Sequence, residues 1–521
     1  MTKSARIYGL ALLVGLCAAA ISYFKPISPY RGDSANYIEQ ARNLLERGVF
    51  EVTPFGIEEQ PDAVFVPDKL FPPGYPLLIA LGSLIFRFPV EVVAPLLSLA
   101  ALVLLPSVII RTFHRVVGLW PALAIAVLSA FTPAAIKHGY HAHSDMISLV
   151  LIVYAVHRLL LAGDKSLNWF WLGLLTGFSY LIRNANLGFI IAIGLYLLWQ
   201  FAIQAGNRKQ LFRNAVIWAC ANGLLIVPWL VHNKIVFGTL QPYSMAPSTV
   251  SLQDNIHDFI TAQLDTLLAL IDLDAALAGS YWGLGLLGLA SIALAYQVVA
   301  TWRNWSRLEQ QAFGIATINV AIGATIVIAA RTKYQWGGLI DARYALSNAC
   351  FLFVAAAIAA NHLAMSPHVR KTILGITAVT LLLARAYELP KFYEDKRKAE
   401  AATLIRAIEL IQNRPDSICT RLNGRFAVSN LAGAYRVACG APVRHIWFKP
   451  SREFIEASLP TWAALGKRRG IMVSGFPRQN DPANELPLEP DAVEKLRSRG
   501  WQVERNEHEN LILSREENAP Q

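Results

Sequence analysis

Three short stretches of this 521-residue chain hold residues whose types and spacing suit chemistry. In KPISPYRGDSANYIEQARNLLERGVF, Asp33 heads a run with Tyr37, Ala41, Leu44 and Leu45 at helical spacing. An Asp there serves either as the N-cap of that helix, accepting from its first-turn amides, or as a carboxylate held ready as a general base. In HGYHAHSDMISLV, His138, His141, His143 and Asp145 fall within eight residues. Three imidazoles and a carboxylate could ligate zinc or another divalent cation, or form a polar cluster facing a substrate. In GFSYLIRNANLGF, Arg183 and Asn184 separate two apolar runs with almost no loop between them. An Arg so placed is costly unless paired, and such residues mark pathways and sites. Its expected partner is Asp33 or a bound phosphate.

Single charges extend this set. Lys69 stands just ahead of a Pro-Pro-Gly turn, where a Lys either snorkels to the membrane interface or meets a phosphate. Lys234, Arg331, Lys333, Asp341 and Arg343 add charge beside apolar runs. Asp254, Asp258, Asp265, Asp272 and Asp274 recur at helical spacing, as on the solvated face of an interfacial helix.

The elements that must position these residues follow from composition. Hydrophobic residues make up 54% of the chain and charged ones 16%, with a mean hydropathy of +0.39. Soluble chains carry about 25% charged residues. This balance excludes a disordered chain and a single soluble domain, and five cysteines are too few for a disulfide scaffold. An all-α polytopic membrane protein remains. Runs long enough to cross a bilayer lie at about 7–24, 91–110, 119–136, 146–163, 168–182, 186–204, 213–231, 281–301, 311–330, 345–363 and 371–387, about eleven spans. The first run lacks an A-x-A-like cleavage site and is read as a retained span. The apolar stretch 75–86 is too short to cross and reads as an interfacial or re-entrant helix.

Orientation follows from the basic residues. With a cytoplasmic N-terminus, the inside segments hold 13 Lys/Arg against two acids, whereas the outside part of 1–389 holds 13 against 17. The net charge of +11 is therefore cytoplasmic anchoring, with the loop 25–90 and the tail outside. The domains expected are 1–389, transmembrane, and 390–521, a small α/β soluble module. In the latter, strands are expected at 425–429, 470–474 and 510–514, and helices at 398–412 and 491–499. Cys419 and Cys439 fall on the oxidising side, as a disulfide or as two thiols. Cys17, Cys220 and Cys350 are packing residues of spans. There is no P-loop, no dinucleotide fingerprint, no H-E-x-x-H and no internal repeat, and the spread of basic residues excludes a nucleic-acid partner.

The order of motifs resembles a known superfamily. A first span is followed by a Gly-Asp-x-x-x-Tyr-x-x-x-Ala helix and then by Pro-Pro-Gly-Tyr-Pro ahead of a short apolar helix. Ser144-Asp145 follows in the second outer loop, and Arg343-Tyr344 opens a late span. This resembles the GT-C integral-membrane glycosyltransferases, most of all the protein O-mannosyltransferase and aminoarabinose (lipid A) transferase branch. The likeness covers about residues 1–390. It implies a bacterial inner-membrane enzyme that takes a sugar from a polyprenyl-phosphate donor at the outer leaflet. A lipid, glycan or protein hydroxyl would accept it, with inversion.

By the resemblance, the catalytic positions fall on Asp33 and Asp145. Lys69, Arg183, Lys333 and Arg343 would meet the donor phosphate. Tyr37, Tyr75, His141, His143 and Tyr344 would contact substrate. Lys69 departs from the family pattern, because Leu70 and Phe71 separate it from Pro72. No cofactor is required by this reading. A divalent metal ion, if used, would sit at His138, His141, His143 and Asp145. The competing classes are a lipid or glycan transporter or flippase, and a scaffold presenting the tail. A transporter should show broken helices, repeats or mid-membrane charge, whereas the charges here crowd the outer rim.

Overall fold

The computed structural model describes residues 3–24, 33–54, 64–203, 208–242, 247–268, 295–334, 340, 342–363, 366–396, 419, 426–429, 432–445, 471–475, 494, 497–498, 502–505 and 511–514. The chain divides into two compact units, each made of several segments.

The first unit comprises residues 1–25, 69–75 and 95–392. Its helices follow the apolar runs: α1 Lys3–Phe24, α3 Gly74–Phe86 (shared with the second unit), α4 Val90–Val117, α5 Leu119–Ala130, α6 Pro133–Gly139, α7 Asp145–Leu160, α8 Ser166–Ile182, α9 Leu187–Ile203, α10 Arg208–Phe237, α11 Leu252–Leu268, α12 Arg307–Lys333, α13 Leu346–Asn361 and α14 Pro367–Lys396. α8 lies against α7 and α10, and α12 against α9 and α13. Within the described residues, five helices are long and apolar enough to cross a membrane, or six if α5 and α6, bent by 61°, form one span. That is fewer than the eleven runs suggest, for a geometric reason. α7, α8 and α13 have 16, 17 and 16 residues, or about 24–26 Å of rise, against a hydrocarbon core of about 30 Å. The run 281–301 lies mostly outside the described residues.

Charge inside this unit is compensated locally. Arg385 of α14 is buried, and its guanidinium donates to the carbonyls of Leu128 and Leu267. The expected acidic interfacial helix is α11. It leaves Asp254 exposed and packs Phe259 and Ala262 against Val327 of α12. Cys350 is buried as expected, whereas Cys17 and Cys220 are exposed on their helices.

The second unit comprises residues 26–68, 76–94 and 393–521, so the tail shares its unit with residues 26–68. Ser34–Arg47 form α2, ended by Gly48, whose φ of 71° suits a residue without Cβ. Two short antiparallel strands, Glu51–Val52 and Val66–Pro67, follow. In the tail, β3 Phe426–Ser429, β4 Val443–His445, β5 Ile471–Gly475, β6 Gln502–Arg505 and β7 Leu511–Ser514 form a mixed sheet in the order β4-β3-β5-β7-β6. β3 runs parallel to β4 and β5, and β7 antiparallel to β5 and β6. The three expected strands match β3, β5 and β7 within a residue. β4 and β6 have charged or polar residues at alternate positions and gave little apolar signal. The expected helix 398–412 lies outside the described residues, as does most of 491–499. Cys419 and Cys439 are disulfide-bonded, which resolves the two readings of that pair.

Candidate functional site in the membrane unit

Asp145 is the first residue of α7, where the helix dipole favours a carboxylate, and it is buried. Its carboxylate pairs with the guanidinium of Arg183, whose side chain is 16% exposed. Arg183 occupies an extended residue (φ −155°) that ends α8, ahead of the 3₁₀ turn Asn184–Asn186. The break in the helix is what turns this Arg out of the span. Its expected partner was Asp33 or a phosphate. Within the unit the partner is Asp145, 38 residues away in sequence.

Arg343 and Tyr344 join this pair from a 3₁₀ turn, Ala342–Tyr344, just ahead of α13. The Tyr344 ring lies under both guanidiniums, 5.5 Å from Arg183 and 4.8 Å from Arg343. Arg343 also donates to the Tyr344 hydroxyl at 2.9 Å. Asp145, Arg183, Arg343 and Tyr344 all line a cavity of about 60 Å³, together with Asn186, Asn319 and Asn348. One carboxylate and two guanidiniums thus line the same cavity, with an aromatic ring beside them.

A second polar cluster lies between α6 and α7. Thr132 caps α6 by accepting from Ala135 N at 3.0 Å, and Pro133 occupies its first turn. The chain then turns tightly through His138, His141 and His143, all buried. His143 Nδ1 comes within 3.8 Å of Asp145 Oδ2, so the two clusters adjoin. The His143 carbonyl accepts from Ser98 Oγ at 2.8 Å, and Ser98 Oγ lies 3.3 Å from the Tyr75 hydroxyl.

The Pro-Pro-Gly stretch is docked against the Arg183 turn. Asn184 Nδ2 donates to the Leu70 carbonyl at 3.1 Å. A Cβ on Gly74 would sit 2.6 Å from the Leu181 backbone, so only Gly lets α3 start this close to the end of α8. Lys69, at the head of this stretch, is exposed. Lys333 is exposed at the end of α12 with its ammonium 5.1 Å from the Tyr334 ring. Lys234 donates to the Gly238 carbonyl at 2.6 Å and so serves the end of its own helix. Arg331 is buried near Ser248, and Asp341 lies outside the described residues.

Asp33 and Tyr37 belong to the second unit. Asp33 stands at the N-cap position of α2, yet its side chain makes no capping hydrogen bond, so capping does not account for this carboxylate. Tyr37 is buried. Further along α2, Glu39 pairs with Arg436 and accepts from Thr53 N at 2.8 Å and Thr53 Oγ1 at 2.6 Å. Arg42 donates to the Arg436 carbonyl at 2.8 Å. The residues sequence reasoning missed are the cavity amides Asn186, Asn319 and Asn348, and the Glu39–Arg436 pair. The amides were findable, because a polar side chain inside an apolar run is costly and tends to face an interior.

The comparisons with known proteins bear on this arrangement. Residues 71–232 match the family model described as dolichyl-phosphate-mannose-protein mannosyltransferase, and this stretch includes Tyr75, the His cluster, Asp145 and Arg183. No curated protein sequence matches the chain. Among solved structures, ArnT from Cupriavidus metallidurans bound to undecaprenyl phosphate superposes with a TM-score of 0.62 at 12% identity, covering 100% of both chains. The archaeal oligosaccharyltransferase AglB from Archaeoglobus fulgidus, in complex with an inhibitory peptide and a dolichol-phosphate, gives 0.56 at 12% identity, covering 98% of this chain and 75% of that one. The arabinofuranosyltransferase AftD from Mycobacteria gives 0.57 at 13% identity, covering 99% of this chain and 40% of that one. The chain is an integral membrane protein with the fold of the GT-C glycosyltransferases. Identities this low define the fold and nothing finer.

Proposed function

We propose that the chain is a membrane glycosyltransferase that moves a sugar from a polyprenyl-phosphate donor to an acceptor hydroxyl on the outer face, with inversion. The observation that carries this reading is the cluster of Asp145, Arg183, Tyr344 and Arg343 around one cavity. Guanidiniums at a cavity wall suit a phosphate, because their planar fork of donors matches its oxygens. The structures of ArnT and AglB hold undecaprenyl phosphate and dolichol-phosphate respectively, which supports a lipid phosphate as the group bound.

In this mechanism the acceptor hydroxyl attacks the anomeric carbon while Asp33 takes its proton. The bond to the phosphate oxygen breaks, and the charge developing on the leaving phosphate is stabilised by Arg183 and Arg343, with Lys69 and Lys333 as further donors. Asp145 orients Arg183. A single displacement inverts the anomeric centre, and a phosphate leaving group needs no general acid. Tyr37, Tyr75, His141, His143 and Tyr344 shape the substrate sites, and the transfer step itself uses no cofactor. The reading places the enzyme in a bacterial inner membrane, with about eleven spans, a cytoplasmic N-terminus and the tail, as its own domain, in the periplasm. The acceptor is a lipid, a glycan or a protein hydroxyl.

The test is transfer in detergent from a defined polyprenyl-phosphate sugar. Wild type should transfer, and Asp33→Asn should lose about 10²–10⁴-fold in rate, the usual worth of a general base. Retained activity in Asp33→Asn removes that residue as the base. Movement of the lipid across vesicles without any transfer would favour the transporter.

A further inference from the structure

The structure assigns a metal site to His138, His141 and His143, a tri-imidazole centre for a divalent d-block cation, zinc first, with Asp145 outside the ligand set. This inference does not rest on the transferase reading, since it concerns what three side chains can bind.

The geometry is pre-formed. One ring nitrogen from each His lies within 4.8 Å of the other two. His141 Nδ1 and His138 Nδ1 are 3.4 Å apart. Two zinc–nitrogen bonds of about 2.0–2.1 Å at the tetrahedral angle hold their nitrogens about 3.3 Å apart. Rings this close bring one nitrogen of each within reach of a shared zinc, whichever nitrogen faces it. The three ring centroids lie 5.1, 5.5 and 5.4 Å from one another.

Burial points the same way. The three residues are 2%, 1% and 4% exposed, and His138 Nε2 is buried without a hydrogen-bond partner. Buried polar nitrogens are normally satisfied, and an exception calls for an explanation. A cation that takes the Nε2 lone pair of His138 removes this exception, and each neighbouring imidazole has a ring nitrogen able to ligate. Imidazole is a borderline ligand that suits zinc, copper, nickel and iron, rather than magnesium or calcium.

Asp145 is the carboxylate nearest the cluster, but Arg183 holds it. Its Oδ2 stands 3.8 Å from His143 Nδ1, beyond hydrogen-bond reach. The backbone is fixed for the purpose as well. His143 N donates to the His141 carbonyl at 2.7 Å, His141 N to the His138 carbonyl at 3.3 Å, and Ser98 anchors the His143 carbonyl. A metal there would staple α6 to the start of α7 and so hold Asp145 in register. Three protein ligands leave the fourth position to water.

The test uses the full chain in detergent, stripped with a chelator and reloaded with Zn²⁺ or Co²⁺ alone. Wild type should retain about one metal ion per chain by elemental analysis, and Co²⁺ should give the visible absorption of a tetrahedral site. His138→Gln and His141→Gln should each weaken binding at least about tenfold, while Asp145→Asn should stay within about threefold of wild type. Absence of metal from a reloaded, monodisperse wild type overturns the site. So does equal retention by the His138→Gln/His141→Gln double variant, or equal loss in Asp145→Asn. Should the His variants fail to fold, X-ray absorption at the zinc edge of wild type decides. Three imidazole nitrogens support the assignment, and a shell of oxygens overturns it. No arm depends on turnover, so a failure here is distinguishable from a failure of the transferase reading.

Discussion

Two buried carboxylate–guanidinium pairs, one in each unit, look alike in chemistry and differ in surroundings. Glu39 and Arg436 have side chains 5% and 6% exposed, and both Glu39 oxygens are engaged, by Arg436 and by the Thr53 amide and hydroxyl. Arg42 fastens the same helix to the Arg436 and Val437 carbonyls. Both residues are buried, and the carboxylate is fully engaged although Arg436 Nε has no partner. Asp145 and Arg183 instead line a cavity, with a second guanidinium and an aromatic ring beside them. A carboxylate engaged at both oxygens and walled in by its own fold holds structure. A pair that lines a cavity can bind something that arrives later. The difference between the two is therefore one of stability against function, and it can be broken experimentally.

The largest expected effect is on stability at the closed pair. Glu39→Ala leaves Arg436 buried and unpaired, which should cost about 3–5 kcal/mol. Chemical denaturation of the full chain in detergent, read by tail-domain proteolysis, measures it. A cost below about 1 kcal/mol would show that the pair is hydrated and would remove the contrast. Next comes the open pair, where the loss should fall on rate. Arg183→Met should lower transfer by about 10²–10³-fold, the scale for one charge-stabilising donor. Its melting temperature should move less than that of Glu39→Ala, because the 16% exposed side chain borders a cavity that water can fill. Equal destabilisation by the two variants would make Arg183 a structural residue.

How much of this was legible in the sequence depended on distance along the chain. The His cluster and Asp145 fall within eight residues, so their adjacency was visible. The helices followed from apolar runs, and the break at Arg183 from a charge with no loop to hold it. Partners were another matter. Arg183 meets Asp145 across 38 residues, and Glu39 meets Arg436 across 397. Nothing in local spacing encodes such pairings, because they depend on how helices stack. The sharing of one unit between residues 26–68 and the tail was hidden for the same reason. Asp33 read first as a cap and second as a base, and the structure shows no capping hydrogen bond from its side chain.

The disulfide sharpens the contrast from the side of the second unit. Cys419–Cys439 closes a separation of 20 residues and ends on the helix Ala432–Cys439 that carries Arg436. By chain-entropy reasoning a loop of that size is worth about 3 kcal/mol. Cys439→Ser should therefore lower tail stability by about that amount, measured by denaturation with and without reductant. If reduction of wild type leaves stability unchanged, the unit is held by Glu39, Arg42 and Arg436 without the crosslink.

The smallest effect tests whether the open site's own scaffold is modular. Ser98 has one hydroxyl proton, and it goes to the His143 carbonyl. Tyr75 must then be the donor in its 3.3 Å contact with Ser98, since the Ser98 proton is already used. Tyr75→Phe removes that donor and leaves the Ser98–His143 bond intact, so it should cost only about 0.5–1.5 kcal/mol. Ser98→Ala cuts both bonds, leaves the buried His143 carbonyl without this donor, and should cost more. The order of the two melting temperatures reads this directly. If Tyr75→Phe proves the more damaging, the hydroxyl of the Pro-Pro-Gly-Tyr stretch holds something other than Ser98. Its place would then be with the open, functional region rather than with the frame around it.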